Sequence, residues 1–205
     1  MGRSSGAGPS ASGVFDGVDL VTQAELSGTY VAPMPPERAA SGDYLFPNFT
    51  TAASGSTSIN FLRFTPITIP FALVAATIGV EIVTIGSAGA LVRMGIYSPG
   101  ADNGPGGLLL DAGTVAGDGT TGLKEITINQ ALNAGRYWLC LVTQVAAVTL
   151  RQCSGGPVIP PPGAYDFATN MSYRSTASTF SGALPGTAPA LTATGTPPLL
   201  VLKTF

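Results

Sequence analysis

The stretch Leu91-Val92-Arg93-Met94-Gly95-Ile96-Tyr97-Ser98-Pro99-Gly100-Ala101-Asp102-Asn103-Gly104-Pro105-Gly106-Gly107-Leu108-Leu109-Leu110 decides how this chain is read. Two apolar, strand-like runs flank a loop of Pro, Gly, Asp and Asn. Proline presets φ and removes a donor, glycine admits left-handed backbone, and Asp or Asn bonds its own main chain; together they make a turn. The unit is strand, loop, strand.

The same grammar extends outward. Thr77 to Thr84 places Ile78, Val80 and Ile82 on one face by period-two alternation. Gly86-Ser87-Ala88-Gly89 turns into Leu91. Gly117 to Gly122 turns into Leu123-Lys124-Glu125-Ile126-Thr127-Ile128, with Ile126 and Ile128 inward. Ala134-Gly135 turns into Arg136 to Thr143, and Ala147 to Leu150 completes the set. Upstream, Tyr44-Leu45-Phe46 and Asn60 to Phe64 read as short aromatic strands joined by Thr51 to Ser56, followed by the alternating Ile67-Thr68-Ile69. No helical period interrupts them. Short, evenly spaced strands predict an all-β chain, an antiparallel β-sandwich of jelly-roll-like type.

The flanks differ in character. Residues 1–43 read as an extended anchoring arm: Ser, Gly, Pro and Ala open it, and Val14, Phe15, Val18, Leu20 and Leu26 give it an apolar patch for assembly. Residues 44–153 form the sandwich. Residues 154–205 read as a Pro/Gly/Ser/Thr-rich extended connector ending in a strand, Leu199 to Phe205, that pairs back onto the sheet or onto a neighbour's edge.

Composition narrows the function. Of 205 residues only 10% are charged, against about 25% in ordinary soluble domains. A surface so poor in charge is expected to be covered by other subunits, so a homo-oligomer is expected, a trimer first. The net charge of −2 and the scattered basic residues argue against nucleic acid. Histidine is absent, so a Ser-His-Asp triad cannot form and the commonest metal ligand is missing. Cys140 and Cys153 alone make no zinc site, and Cys140 lies in an apolar strand pattern that suits a buried thiol. Ile67 to Val80 is apolar, but Pro66 and Pro70 bracket its start and Glu81 closes it. It is shorter than the roughly 20 residues a spanning helix needs, so no membrane insertion is expected. The N-terminal residues carry no apolar core of a signal peptide.

Candidate sites each have a plainer reading beside them. Asp102, Asn103 and Asp111 could offer oxygens to calcium, but Asp and Asn before Gly are also standard turn residues. Tyr97, Tyr137 and Trp138 could form a sugar-stacking surface; alternation makes Trp138 core and Tyr137 rim. Glu81 and Glu125 are the acids a glycosidase would need, but nothing in the sequence sets them across a cleft. No catalytic residue, metal or cofactor is expected. Tyr97, Asp102, Asn103 and Tyr137 remain as candidates for an exposed ligand-binding loop.

Residues 61–150 resemble a β-sandwich module of bacteriophage virion proteins, often labelled minor tail proteins. The residues that carry this are Arg93-Met94-Gly95-Ile96-Tyr97, Asp102-Asn103-Gly104-Pro105-Gly106, Leu108 to Val115 and Ala134-Gly135-Arg136-Tyr137-Trp138-Leu139. A similar pattern occurs in jelly-roll modules of secreted bacterial surface proteins. The resemblance implies a non-enzymatic virion protein on the tail or capsid exterior, locked to other virion proteins by its arms, with host-surface glycan as a further partner. The alternative is a carbohydrate-binding module of a secreted or cell-surface protein.

Overall fold

The computed structural model describes residues 41–47, 51–154, 172–194 and 196–205. The arm at residues 1–43, with Val14, Phe15, Val18, Leu20 and Leu26, lies almost wholly outside them. The described part is all-β, two antiparallel sheets packed face to face.

In chain order the strands are β1 (Tyr44–Leu45), β2 (Thr51–Ser56), β3 (Arg63–Ile69), β4 (Leu73–Thr84), β5 (Leu91–Pro99), β6 (Pro105–Ala116), β7 (Gly122–Leu132), β8 (Gly135–Gln144), β9 (Thr149–Ser154), β10 (Ser172–Ser175), β11 (Leu191–Thr194) and β12 (Leu200–Thr204). The first sheet runs β1-β12-β4-β9-β2, with β7 on the other edge of β4; the second runs β11-β10-β3-β8-β5-β6. The long β4 organises the first sheet. It pairs with β7 from Leu73 to Ile82, with β12 from Ala75 to Val80, and then with β9 at Ile82 and Thr84.

Alternation builds the main core. Ile78, Val80 and Ile82 of β4, with Leu200 and Leu202 of β12, meet Val92, Met94 and Ile96 of β5 and Leu139 and Leu141 of β8. Each such side chain contributes about 1.5–3 kcal/mol on burial.

The opposite face of the second sheet is not bare. Leu62, Phe64, Tyr97, Trp138, Cys140 and Val142 form a second cluster there, closed by Leu184 with Phe180, Ala188 and Leu191 packed against it. The covering chain, residues 176–190 between β10 and β11, forms a strap. Hydrogen bonds pin it: Leu108 N to Gly186 O at 2.9 Å, Ala188 N to Gly106 O at 2.8 Å, and Gln144 Nε2 to Gly182 O at 2.7 Å.

Four sequence expectations change in detail. Thr51 to Ser56, read as a joining loop, is β2. Pro66, which stands between the two runs Asn60 to Phe64 and Ile67 to Ile69, lies inside the single strand β3. It is tolerated because β10 pairs with β3 only at Arg63 and Phe64, leaving one edge of β3 without a ladder at Pro66 among the described residues. Leu108 to Leu110, read as the run that follows the Pro/Gly loop, belongs to the longer β6, which begins at Pro105 inside that loop and is carried through irregularities in its pairing with β5. The segment after 154 contains more than a connector: β10 and β11 belong to the second sheet, and β12 pairs back within its own chain between β1 and β4.

Candidate functional site

The strand–loop–strand unit puts the four candidate residues in different settings. Tyr97 is 0% exposed, so it is corrected from exposed-loop residue to core. Its ring meets Phe64 edge-on at 5.1 Å between centroids, and its hydroxyl donates to Pro185 O at 2.7 Å. The sequence showed an aromatic at a strand end; the strap that buries it begins about 80 residues further on, where the Ser/Thr/Gly-rich sequence carries no strand signal.

Trp138 is core as the alternation implied, and its indole N–H donates to the Asn103 carbonyl at 3.1 Å. Tyr137 is half-buried, and its hydroxyl accepts the Asn133 N–H at 3.1 Å. Neighbours on one strand, they point to opposite faces, so they form no shared platform.

Asp102 and Asn103 do the work of a turn. Asp102 Oδ1 accepts the Gly104 N–H at 2.9 Å, and Asn103 takes φ of 57°, which Asn tolerates better than most residues. Asp111 is engaged elsewhere. Its carboxylate accepts Arg93 Nε at 2.9 and 3.0 Å, Gly113 N at 3.2 Å and Leu184 N at 3.0 Å. Among the described residues no three His, Cys, Asp or Glu side chains gather to hold a metal, and Asp111 has its oxygens occupied by donors.

The feature that sequence did not signal lies on the outer face of the first sheet. Tyr44, Phe46, Glu81, Gly122, Leu123, Leu199 and Val201 line an open groove of about 290 Å³. Register explains the grouping. Tyr44 opposes Lys203 and Glu81 opposes Leu123, so strands β1, β12, β4 and β7 bring these residues to one face. Phe46 is 53% and Leu123 46% exposed. The volume sits at the bottom of the range for small-molecule pockets, roughly 300–1,000 Å³, and the groove is shallow and mostly apolar.

Charge frames the groove. Arg151 Nε and Nη2 donate to Glu81 at 3.0 and 2.9 Å, a bidentate pair. Glu125 Oε1 accepts Thr77 Oγ1 at 2.6 Å and the Tyr44 hydroxyl at 3.2 Å. Lys203 Nζ lies 5.5 Å from the Tyr44 ring centroid. Both glutamates thus share a sheet face, a juxtaposition the sequence did not reveal. The hydrogen bonds from Arg151 hold the Glu81 carboxyl below its ordinary value, the reverse of what a general acid needs.

Among the described residues no helix is long and apolar enough to cross a membrane. No family model matches the chain, and no curated protein does. Among solved structures the chain is similar to one described as the structure of infectious bursal disease virus Gx strain, with a TM-score of 0.28 and 12% identity. That alignment covers 79% of this chain and 38% of the viral one, and likeness of this degree carries nothing further about this chain's role.

Proposed function

We propose that this chain is a non-enzymatic virion structural protein, of bacteriophage type, that works by packing against copies of itself and against other virion proteins. The observation that carries this is the groove on the outer face of the first sheet: apolar, open, rimmed by the exposed Phe46 and Leu123, and too shallow to enclose a substrate. A chain with only 10% charged residues and such a patch on its surface is better suited to a contact than to solvent. Glu81 and Glu125, the acids weighed for glycoside hydrolysis, are held by Arg151, Thr77 and Tyr44 on this face. Exposure on a tail or capsid exterior and anchoring through residues 1–43 follow from the sequence resemblance, a trimeric state from the low charge of the chain, and all belong to the same proposal.

Light scattering on the purified chain tests it. A trimer or larger complex that falls to monomer in Leu123→Lys and Phe46→Lys is the expected result. A monomer at all concentrations, with both variants behaving like the parent, overturns the groove as the contact.

A second reading has one observation in its favour. Tyr44 and Phe46 lie 6.2 Å apart beside Glu81, Glu125 and Lys203, aromatic faces next to polar groups as in glycan-binding surfaces. It would relocate the sugar platform from Tyr97 and Tyr137 to this groove. Glycan binding lost in Phe46→Ala would favour it over the contact reading.

A further inference from the structure

At one end of the space between the sheets, two arginines face each other. Arg63 of β3 stands directly opposite Arg174 of β10 in antiparallel register. The alternation that sends Ile67 and Ile69 into the main core sends Arg63 to the same inner face. Like charges placed directly opposite across a ladder are destabilising. Arg63 is moreover only 7% exposed.

Among the described residues neither guanidinium is part of an ion pair. The Nε atoms of both are buried without a hydrogen-bond partner. The two ion pairs among the described residues use Arg93 and Arg151 instead. Burial, followed by the nearby charge of Arg174, holds Arg63 below its ordinary value. The Arg174 guanidinium carbon lies 4.8 Å from the Phe61 ring centroid, a cation–π contact that does not neutralise its charge. Buried charge is costly unless paired, and the chemistry that matches two guanidinium forks is an oxyanion.

We propose that Arg63 and Arg174 form a seat for a phosphate-sized oxyanion at this end of the sandwich. Arg174, the less buried of the two, is the side from which the anion enters. A dianion neutralises both charges, and its several oxygens accept from both Nε atoms. The anion is either dissolved phosphate or a carboxylate carried by a second copy of this chain, which neutralises one of the two charges and still accepts from both guanidinium forks.

Thermal unfolding of the whole chain separates these sources. The midpoint is followed in rising sodium phosphate against sodium chloride of equal ionic strength, and at several protein concentrations without phosphate. A saturable rise with phosphate alone, about 5 °C or more near saturation, marks a dissolved anion. A rise with protein concentration that Arg174→Gln abolishes marks a carboxylate from a second copy, whereas a rise that Arg174→Gln keeps comes from the groove contact and counts against the seat. In either case Arg174→Gln abolishes the rise, and Arg63→Gln does so where it folds. The proposal is overturned if neither series moves the midpoint, or if Arg174→Gln responds as the parent does.

Discussion

The Tyr97 hydroxyl donates to the carbonyl of Pro185 at 2.7 Å, tying β5 of the second sheet to a strap 88 residues away in sequence. Burial pushes the phenol far above its ordinary value, with the charges of Cys140 and Asp111 adding to the effect, so it stays protonated and remains a donor. Tyr97→Phe keeps the ring and its edge-on contact with Phe64 but leaves the carbonyl without this donor. The expected loss is about 1 kcal/mol. Tyr97→Ala also removes the ring from a packed cluster and is expected to cost about 3–5 kcal/mol. Urea denaturation with fixed slopes checks both. Equal stability of parent and Tyr97→Phe would show that water satisfies Pro185 just as well.

The same contact shows where sequence reading stops. Strand identity in the middle of the chain was legible because each strand carries its own period: Ile78, Val80 and Ile82 alternate within a few residues, and so do Val92, Met94 and Ile96. Tyr97 was read as exposed because what covers it is non-local. Phe180 and Leu184 stand singly among Ser, Gly, Ala and Thr, and no local pattern says that they cap a distant sheet. The groove was illegible for the same reason. Tyr44, Glu81, Leu123 and Val201 come from four strands, and only the pairing of β1, β12, β4 and β7 makes them neighbours. Asp102 and Asn103 were legible as turn residues because an Asx turn is local chemistry.

Gly95 marks a place where the strap presses on the sheet. A Cβ there would lie 2.3 Å from Leu184 Cδ1 and 2.5 Å from the Leu110 carbonyl oxygen. Leu184 can swing aside, but the backbone carbonyl cannot without disturbing the irregular β5–β6 pairing. Gly95→Ala is therefore expected to cost about 1–3 kcal/mol through overpacking. The damage should be local first. Hydrogen exchange at the Leu184 amide, which donates to Asp111, should accelerate more than exchange at core amides of β4. Unchanged protection at Leu184 would mean that the strap is not held by this packing.

Asp111 links the strap to acid stability. Burial alone would raise its carboxyl, but the hydrogen bond from Arg93, the amides of Leu184 and Gly113 and the charge of Arg93 hold it below its ordinary value. A depressed folded pKa gives stability that is present above the unfolded value, near 3.9, and is lost as pH falls through the folded value. The strap is thus expected to loosen in acid, with the loss beginning below about pH 5. Asp111→Asn should flatten this part of the stability curve. Glu81→Gln should flatten it less, because the Glu81–Arg151 pair is more exposed and salt screens it. Parallel acid profiles for the parent and Asp111→Asn would remove Asp111 as the group responsible.

The two thiols provide separate probes of the two sheets. Cys140 lies on β8 in the cluster beneath the strap, and Cys153 lies on β9 of the other sheet; both are free and buried. Burial pushes Cys153 up to about 12 and Cys140 well above its ordinary value, the latter also by the charge of Asp111. Only the thiolate attacks a disulfide reagent, so at pH 8 neither should react from the closed fold. Each must wait for its cover to open. Both should react at once in denaturing urea and very slowly in buffer. Gly95→Ala opens the strap but leaves the first sheet in place, so it should speed Cys140 alone, read by mass spectrometry of the labelled peptides. If both thiols speed up together, the strap and the sheets open as one unit. If Cys140 reacts quickly even in the parent, the strap is not closed over β8 in solution.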